Sequence, residues 1–473
     1  MFTTRYLNEL PGAYSKVMPT PLAETYWVGW NAKLAEDIAW PVLPDDGMKS
    51  IMAGQGLFQG HEPIAQKYAG HQFGGWNPGL GDGRGLLLGE WTDPQQRIWE
   101  MHLKGAGKTP YSRFGDGRAV LRSSIREFLG SEAMHALGIA STRALALVGS
   151  CERVYRESVE PGASLLRITQ SHVRFGHFEW FAFSEQPKQL QALVDYVIRH
   201  HYPDCASADA PIVAFFSQVI ERTARMIAGW QAYGFVHGVM NTDNMSILGE
   251  TFDYGPYAFL DNTKMNAVFN HTDETGRYAF NQQPSVGLWN LQRLGNALAV
   301  ISDAKALGLL LSNYSDHYER FYLALLNRRL GGHEKNPIEK TLLTEWIAIL
   351  AAESKDFHHW FRRLSYLPKH EWRKLGDDFV DRQRYQRWCD AIAEQVVQND
   401  NERIQQMLST NPFTVARTHH LQQVIDAAHQ QDFKPFESLF SALQSPFEDN
   451  NDWAHWSLPP ENPDAHVELS CSS

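Results

Sequence analysis

The stretch HGVMNTDNMSILGETFDYG, His237–Gly255, does most to restrict what this chain can fold into. Ahead of it, Pro211 opens a run in which Ile212, Phe215, Phe216, Val219, Ile220, Ile227 and Trp230 recur at helical spacing, and Gly234 stops that run. The spacing predicts a long buried helix leading into FVHG. A short loop then ends in Asp243-Asn244, MSIL reads as a strand, and a turn delivers Asp253-Tyr254-Gly255. Asn244 and Asp253, two side chains with oxygen donors, would flank a short hairpin.

The upstream half supplies groups that suit such a hairpin. Residues 41–90 are rich in Gly and Pro and read as short strands and loops. Within LGDGRGLLLGE, Gly81, Gly83 and Gly85 allow close backbone approach, and Arg84 offers a planar fork of donors to an anion. Taken alone, such a turn is equally a plain connection between strands. IWEMHLK reads as a strand ending in Lys104, and GAGKTPYSRFGDG as a loop. From Arg118 to about Leu137, the residues Leu121, Ile125, Phe128, Leu129, Ala133 and Leu137 mark a helix that Gly138 ends and that carries Glu127. Lys104 and Glu127 form either a phosphate-holding ion pair or a surface salt bridge. ASLLRITQSHVRFGHFEWFAF reads as extended or mixed structure. Its Arg167 and Arg174 have no obvious use in a mildly apolar segment except at an anion site or as a surface pair. From about Leu288 the pattern is helical, up to a polar, acidic tail near Pro446.

Composition limits the remaining choices. A chain of 473 residues with 43% hydrophobic side chains can bury a large core and is long enough for two or three lobes. A net charge of -11 argues against a nucleic-acid partner, so any anion site is local. MFTTRYLNELPGAY lacks a basic start followed by an apolar run, and no stretch is long enough for a membrane span, so the cytoplasm is the expected compartment. Cys151, Cys205, Cys389 and Cys471 are too scattered for a disulfide scaffold or a paired-cysteine metal site. Cys471, in the terminal ELSCSS, is the one expected to be accessible and reactive.

Gly-rich turn, strand lysine, helix glutamate, long helix, Asp-Asn and DYG follow one another in the order of a protein kinase. The expected fold is α+β, a protein-kinase-like two-lobed fold with a large helical C-terminal extension. Residues 1–155 would form an N-terminal extension and N-lobe, 156–300 the C-lobe core, and 301–473 a helical extension, packed on the C-terminal lobe, with the tail ending in CSS. Asn244 and Asp253 suit Mg2+ completed by nucleotide phosphates. The aspartate that a kinase places two residues after the loop histidine is absent, and Val239 stands there.

Longer segments carry a closer resemblance. YAGHQFGGWNPGLGDGRGLLLGE, HLKGAGKTPYSRFGDGRAVLRSSIRE, LLRITQSHVRFGHFE, HGVMNTDNMSILGETFDYGPYAFLD and NQQPSVGLWNLQRL resemble the selenoprotein O family of protein adenylyltransferases, from about residue 10 to the terminal CSS. The resemblance implies a kinase fold holding ATP in a flipped orientation and transferring AMP to Ser, Thr or Tyr hydroxyls of other proteins, with Mg2+ or Mn2+. UTP is a related donor. It places nucleotide contacts on Gly81, Gly83, Arg84, Lys104, Asp116, Gly117, Arg167, Arg174 and Asp253, the general base on Asp243, metal ligands on Asn244 and Asp253, and support for Lys104 on Glu127. Attack at the α-phosphorus expels pyrophosphate, and Lys104, Arg167 and Arg174 would meet the charge that accumulates on it. A monomer acting on protein substrates is expected.

In animal members the position of Cys471 is selenocysteine, which makes Cys471 a redox candidate. Some bacterial relatives have a cysteine in the activation-loop region, but here that region reads MNAVFNHTDETGRYAF, so a disulfide to it is not expected. Mixed disulfides of Cys471 with glutathione or client proteins remain the alternative, and pairing with Cys151, Cys205 or Cys389 stays open. Two further functions stay open beside adenylyl transfer: a kinase moving the γ-phosphate, and a non-catalytic nucleotide-binding scaffold.

Overall fold

The computed structural model describes residues 1–462 and Leu469. Eleven strands precede residue 170: β1 (Phe2–Thr3), β2 (Tyr14–Lys16), β3 (Thr25–Trp30), β4 (Ile64–Gln66), β5 (Gly70–Gln72), β6 (Gly75–Asn77), β7 (Gly85–Thr92), β8 (Ile98–Lys104), β9 (Ala119–Val120), β10 (Arg143–Tyr155) and β11 (Val159–Thr169). Nine of them form one antiparallel sheet in the order β2-β4-β7-β8-β11-β10-β3, with β1 against β7 and β9 against β11. β5 and β6 form a separate hairpin. Because β11 lies between β8 and β10, the sheet runs on through Thr169, past the division expected at residue 155.

The sheet positions the site through its two-residue alternation. Met101 and Leu103 of β8 join Leu86, Leu88, Leu145, Val148, Leu166 and Ile168 in one apolar layer, with residues of helices Ala32–Asp37 and Asp46–Met52. Successive side chains of a strand point to opposite faces, so His102 and Lys104 emerge on the other side. Arg167 of β11 is the direct register partner of His102. On that face packs the helix Leu121–Ala136, with Ile125, Phe128 and Leu129 fully buried. Its bounds match the expected helix within a turn, and Gly138 beyond its end takes a positive φ of 78°. The helix Pro211–Ala232 also forms as expected.

One segment differs from expectation, and another resolves a mixed reading into a strand and a helix. MSIL is not a strand: Ser246 makes a single bridge to Arg174, the Ile247 N–H donates to the Val173 carbonyl at 3.0 Å, and Gly249 turns back on Ser246. Burial of Met245 and Ile247 in the core explains their apolar character without a ladder. The antiparallel pair around the loop is instead β12 (Phe235–Val236) with β13 (Ala258–Phe259). FGHFEWFAF, after β11, is the helix Phe175–Phe183, opened where the Arg174 N–H donates to His177 Nδ1 at 3.0 Å.

Helices occupy most of the chain from Gln283 to Gln444. A second core gathers Trp346, Trp372, Trp388, Tyr385 and Phe361, with the Trp346 and Trp388 rings stacked at 4.5 Å. The helical region does not stay beside the C-terminal half throughout. Helix Lys434–Gln444 crosses to helix Leu121–Ala136, where Phe436 and Phe440 meet Phe128 at 5.3 and 5.1 Å. Among the described residues no helix is long and apolar enough to cross a membrane.

Candidate active site

The Gly-rich turn, β8, β11 and the loops after β12 converge on a cavity of about 330 Å3 lined by Gly81, Arg84, Lys104, Arg167, Arg174, Asp243, Asn244 and Asp253. Eight of the sequence-selected residues thus share one space. Glu127 lies behind it. Its carboxylate takes the Lys104 ammonium on one oxygen and Arg167 Nε on the other, the latter at 2.8 Å. Arg167 Nη2 also reaches Asp253 Oδ1 at 2.6 Å, and Arg174 Nη1 reaches Asp253 Oδ2 at 2.6 Å. Lys104, Glu127, Arg167, Asp253 and Arg174 are therefore one continuous chain of alternating charge.

Burial sets the proton affinities along this chain. Burial pushes Asp253 and Glu127 up, but Arg167, Arg174 and Lys104 prevail at Asp253 and hold it well below the usual carboxylate range. Arg167 and Lys104 likewise lower Glu127. Burial pulls Lys104 below its ordinary value, against the pull of Glu127. Asp253 sits at φ 60°, a left-handed conformation that a non-glycine residue adopts at a cost, and its two arginine contacts hold it there.

Asp243 is the exception among the carboxylates. It sits in the one-turn helix Thr242–Asn244 and is 7% exposed. Burial drives its carboxyl up to about 7, with Arg174 and Gln72 as the main opposing influences. Gln72 Nε2 donates to Oδ2 at 3.1 Å, Oδ1 has no partner, and the Asp243 backbone carbonyl accepts from Arg174 Nη1 at 2.8 Å. Gly70 lies so close that an added Cβ would stand 2.7 Å from Oδ1. Asn244 spends its amide nitrogen on the Val239 carbonyl at 3.0 Å, which leaves its side-chain oxygen as the atom that could meet a cation.

Asp116 and Gly117 do not line this cavity. They border an adjoining one of about 590 Å3, which shares Gly81, Arg84 and Arg113 with the first and also takes in Gly83. The Asp116 carboxylate is held by Arg156, with two contacts of 2.8 Å. The glycines of the turn also have a close protein neighbour. A Cβ on Gly81 would stand 2.4 Å from the Tyr111 ring, and one on Gly83 3.0 Å from the Tyr111 carbonyl. Their space is filled by the 105–118 loop, pinned by Thr109 Oγ1 donating to the Asp82 carbonyl at 2.6 Å.

Sequence reasoning missed Gln72, Asp82, His102 and Arg113, all of which line the cavity. His102 was detectable two residues before Lys104 on the same strand face. Gln72 had no signal, because its role follows from the hairpin folding back onto Asp243. Cys471 lies outside the described residues. Nearby Leu469 is buried and bridges Asn270 in MNAVFNHTDETGRYAF, where no cysteine stands. Cys151 is a free exposed thiol, and Cys205 and Cys389 are free and buried.

Comparison with known proteins identifies the family. The family model described as protein adenylyltransferase SelO matches residues 1–444. The chain is 45% identical to the protein nucleotidyltransferase YdiU of Vibrio cholerae serotype O1, over 99% of this chain and 98% of that one. It is 44% identical to the YdiU of Erwinia tasmaniensis over the full length of both, and 44% identical to that of Yersinia pestis over 100% of this chain and 98% of that one. The chain belongs to the protein adenylyltransferase SelO family, a family of nucleotidyltransferase enzymes.

Proposed function

We propose that this protein transfers AMP from ATP to Ser, Thr or Tyr hydroxyls of other proteins. The observation that carries the reading is Asp243: a buried carboxyl near neutrality with one free oxygen, at the wall of a cavity whose other charged side chains are mostly cationic. The acceptor hydroxyl gives its proton to Asp243 as its oxygen attacks the α-phosphorus. The bond from that phosphorus to the bridging oxygen breaks, and pyrophosphate leaves. Charge then gathers on the β- and γ-phosphates, where Lys104, Arg167, Arg174 and Arg84 stabilise it. Asn244 and Asp253 offer hard oxygen donors fit for Mg2+ or Mn2+, and the described residues include no His, Cys, Asp and Glu cluster of three or more able to hold a metal. Such an ion supplies further charge neutralisation when bound together with the nucleotide's phosphates. UTP fits the same scheme as an alternative donor. In this reading the sheet and helix Leu121–Ala136 form the N-lobe of a kinase-like fold, with the lobe division near Thr169, and the protein acts in the cytoplasm as a monomer.

The test is a pair of incubations with Mg2+ or Mn2+, one with α-labelled and one with γ-labelled ATP, reading label on protein. Label from the α position alone is the expected result. Label from the γ position alone would establish a kinase, and neither label with retained ATP binding would establish a scaffold.

The base also predicts a pH profile. Asp243 accepts a proton only when ionised, so the rate should rise with pH through a midpoint near 7. Gln72 stabilises the ionised form, so Gln72→Leu should move that limb to higher pH by about one unit and slow transfer several-fold at pH 7. Rates of Gln72→Leu and wild type measured from pH 5.5 to 9 check this.

A further inference from the structure

Resting on the adenylyl-transfer reading, we propose that the β5–β6 hairpin is the acceptor platform, where an extended segment of the protein substrate lies along β6 and delivers its hydroxyl to Asp243. The hairpin is joined to the base by side chains. Asn77 Nδ2 donates to Gln72 Oε1 at 3.2 Å, and Gln72 Nε2 donates to Asp243 Oδ2 at 3.1 Å. Its backbone is fixed to the Asp243 loop as well. The His71 N–H donates to Thr242 Oγ1 at 2.7 Å, and the Phe73 N–H to Asn241 Oδ1 at 3.3 Å.

The outer edge of β6 pairs with no other described strand, and its Gly75 and Trp76 are exposed. An unpaired edge is a template for an incoming extended chain, which gains main-chain hydrogen bonds there and places alternate side chains on the flanking surface. That surface is aromatic. Phe73, Trp76 and Phe183 are 40, 36 and 57% exposed, and the Trp76 and Phe183 rings lie 4.1 Å apart. His71 links Trp76 to Trp289, on the wall of an open groove of about 820 Å3. Exposed aromatic rings on and against a hairpin whose Gln72 bonds Asp243 suit an apolar residue near the acceptor hydroxyl. An extended, locally unfolded segment meets these demands, since a folded surface would not follow a three-residue strand edge.

Trp76→Ala/Phe183→Ala, both at solvent-exposed positions, tests the surface. With α-labelled ATP and a soluble bacterial protein extract as acceptor, the double variant should label extract proteins about ten-fold more slowly than wild type at unchanged ATP affinity. With p-benzoylphenylalanine in place of Trp76, irradiation should crosslink the enzyme to proteins that carry the α-label, whereas the same photoprobe in place of exposed Leu309 should not. Equal labelling by the double variant and wild type, or crosslinks at position 76 only to unlabelled proteins or to a second copy of this chain, would overturn the platform while leaving adenylyl transfer intact. Wild type that binds ATP but labels nothing would overturn the transfer reading and the platform with it.

Discussion

Asp243→Ala should lower adenylyl transfer about 1,000-fold while the dissociation constant for ATP changes by less than about three-fold. The asymmetry follows from what Asp243 touches. Its carboxylate meets Gln72 and has a free oxygen, whereas the charged pairs of the site run from Lys104 to Arg174 through Glu127 and Asp253. Removing it would take away the proposed proton acceptor and leave the cationic floor in place. Asp243→Asn, of the same shape, should fail equally, because an amide accepts no proton from a hydroxyl near neutral pH. Single-turnover rates with α-labelled ATP and calorimetric titration of nucleotide separate the two quantities. A variant that kept more than a tenth of wild-type transfer would move the base elsewhere, and a matching loss of ATP affinity would make Asp243 a binding residue.

The parts of this site that were legible in the sequence are those whose chemistry is local. Lys104 and Glu127 could be chosen because a strand and a helix with clear apolar periods placed a cation and an anion within reach. Their pairing, with Arg167 added to the same carboxylate, is what the structure provides. Arg167 and Arg174 stood out as charges without a purpose in an apolar segment, and both end on Asp253. What could not be read depends on contacts between distant segments. MSIL has the composition of a strand, but its buried side chains belong to the core and its backbone answers to Val173, over 70 residues earlier. Glycines 81 and 83 were chosen for close approach to a phosphate, and nothing in the sequence signalled that Tyr111 is also their close neighbour. Gln72 is an ordinary polar residue until the hairpin brings it to Asp243, 171 positions away. The return of helix Lys434–Gln444 to Phe128 joins residues more than 300 apart, a distance at which periodicity carries no information.

Glu127→Ala should have the largest effect on stability, about 3–5 kcal/mol, together with loss of most transfer activity. The Glu127 side chain is 1% exposed, and its two partners, Lys104 and Arg167, are 8 and 2% exposed. Removing one member of a buried ion pair leaves the remaining charge without water or a counterion, which costs more than the pair contributed in the first place. Here two cations are left beside each other. Arg167 can still lean on Asp253, so Lys104 bears most of the change: burial already depresses its proton affinity, and Glu127 is the first influence opposing that. Without Glu127, Lys104 should either lose its proton or swing away, and in both cases the charge that meets the departing pyrophosphate is gone. Glu127→Gln separates the causes, since it can retain a hydrogen bond while removing the charge. If electrostatics dominates, both variants should unfold at similarly reduced urea concentrations and transfer AMP equally poorly. A Glu127→Gln protein with wild-type stability and activity would show that the carboxylate acts only as a spacer between the helix and β8, and the cationic floor would then need a different counterion.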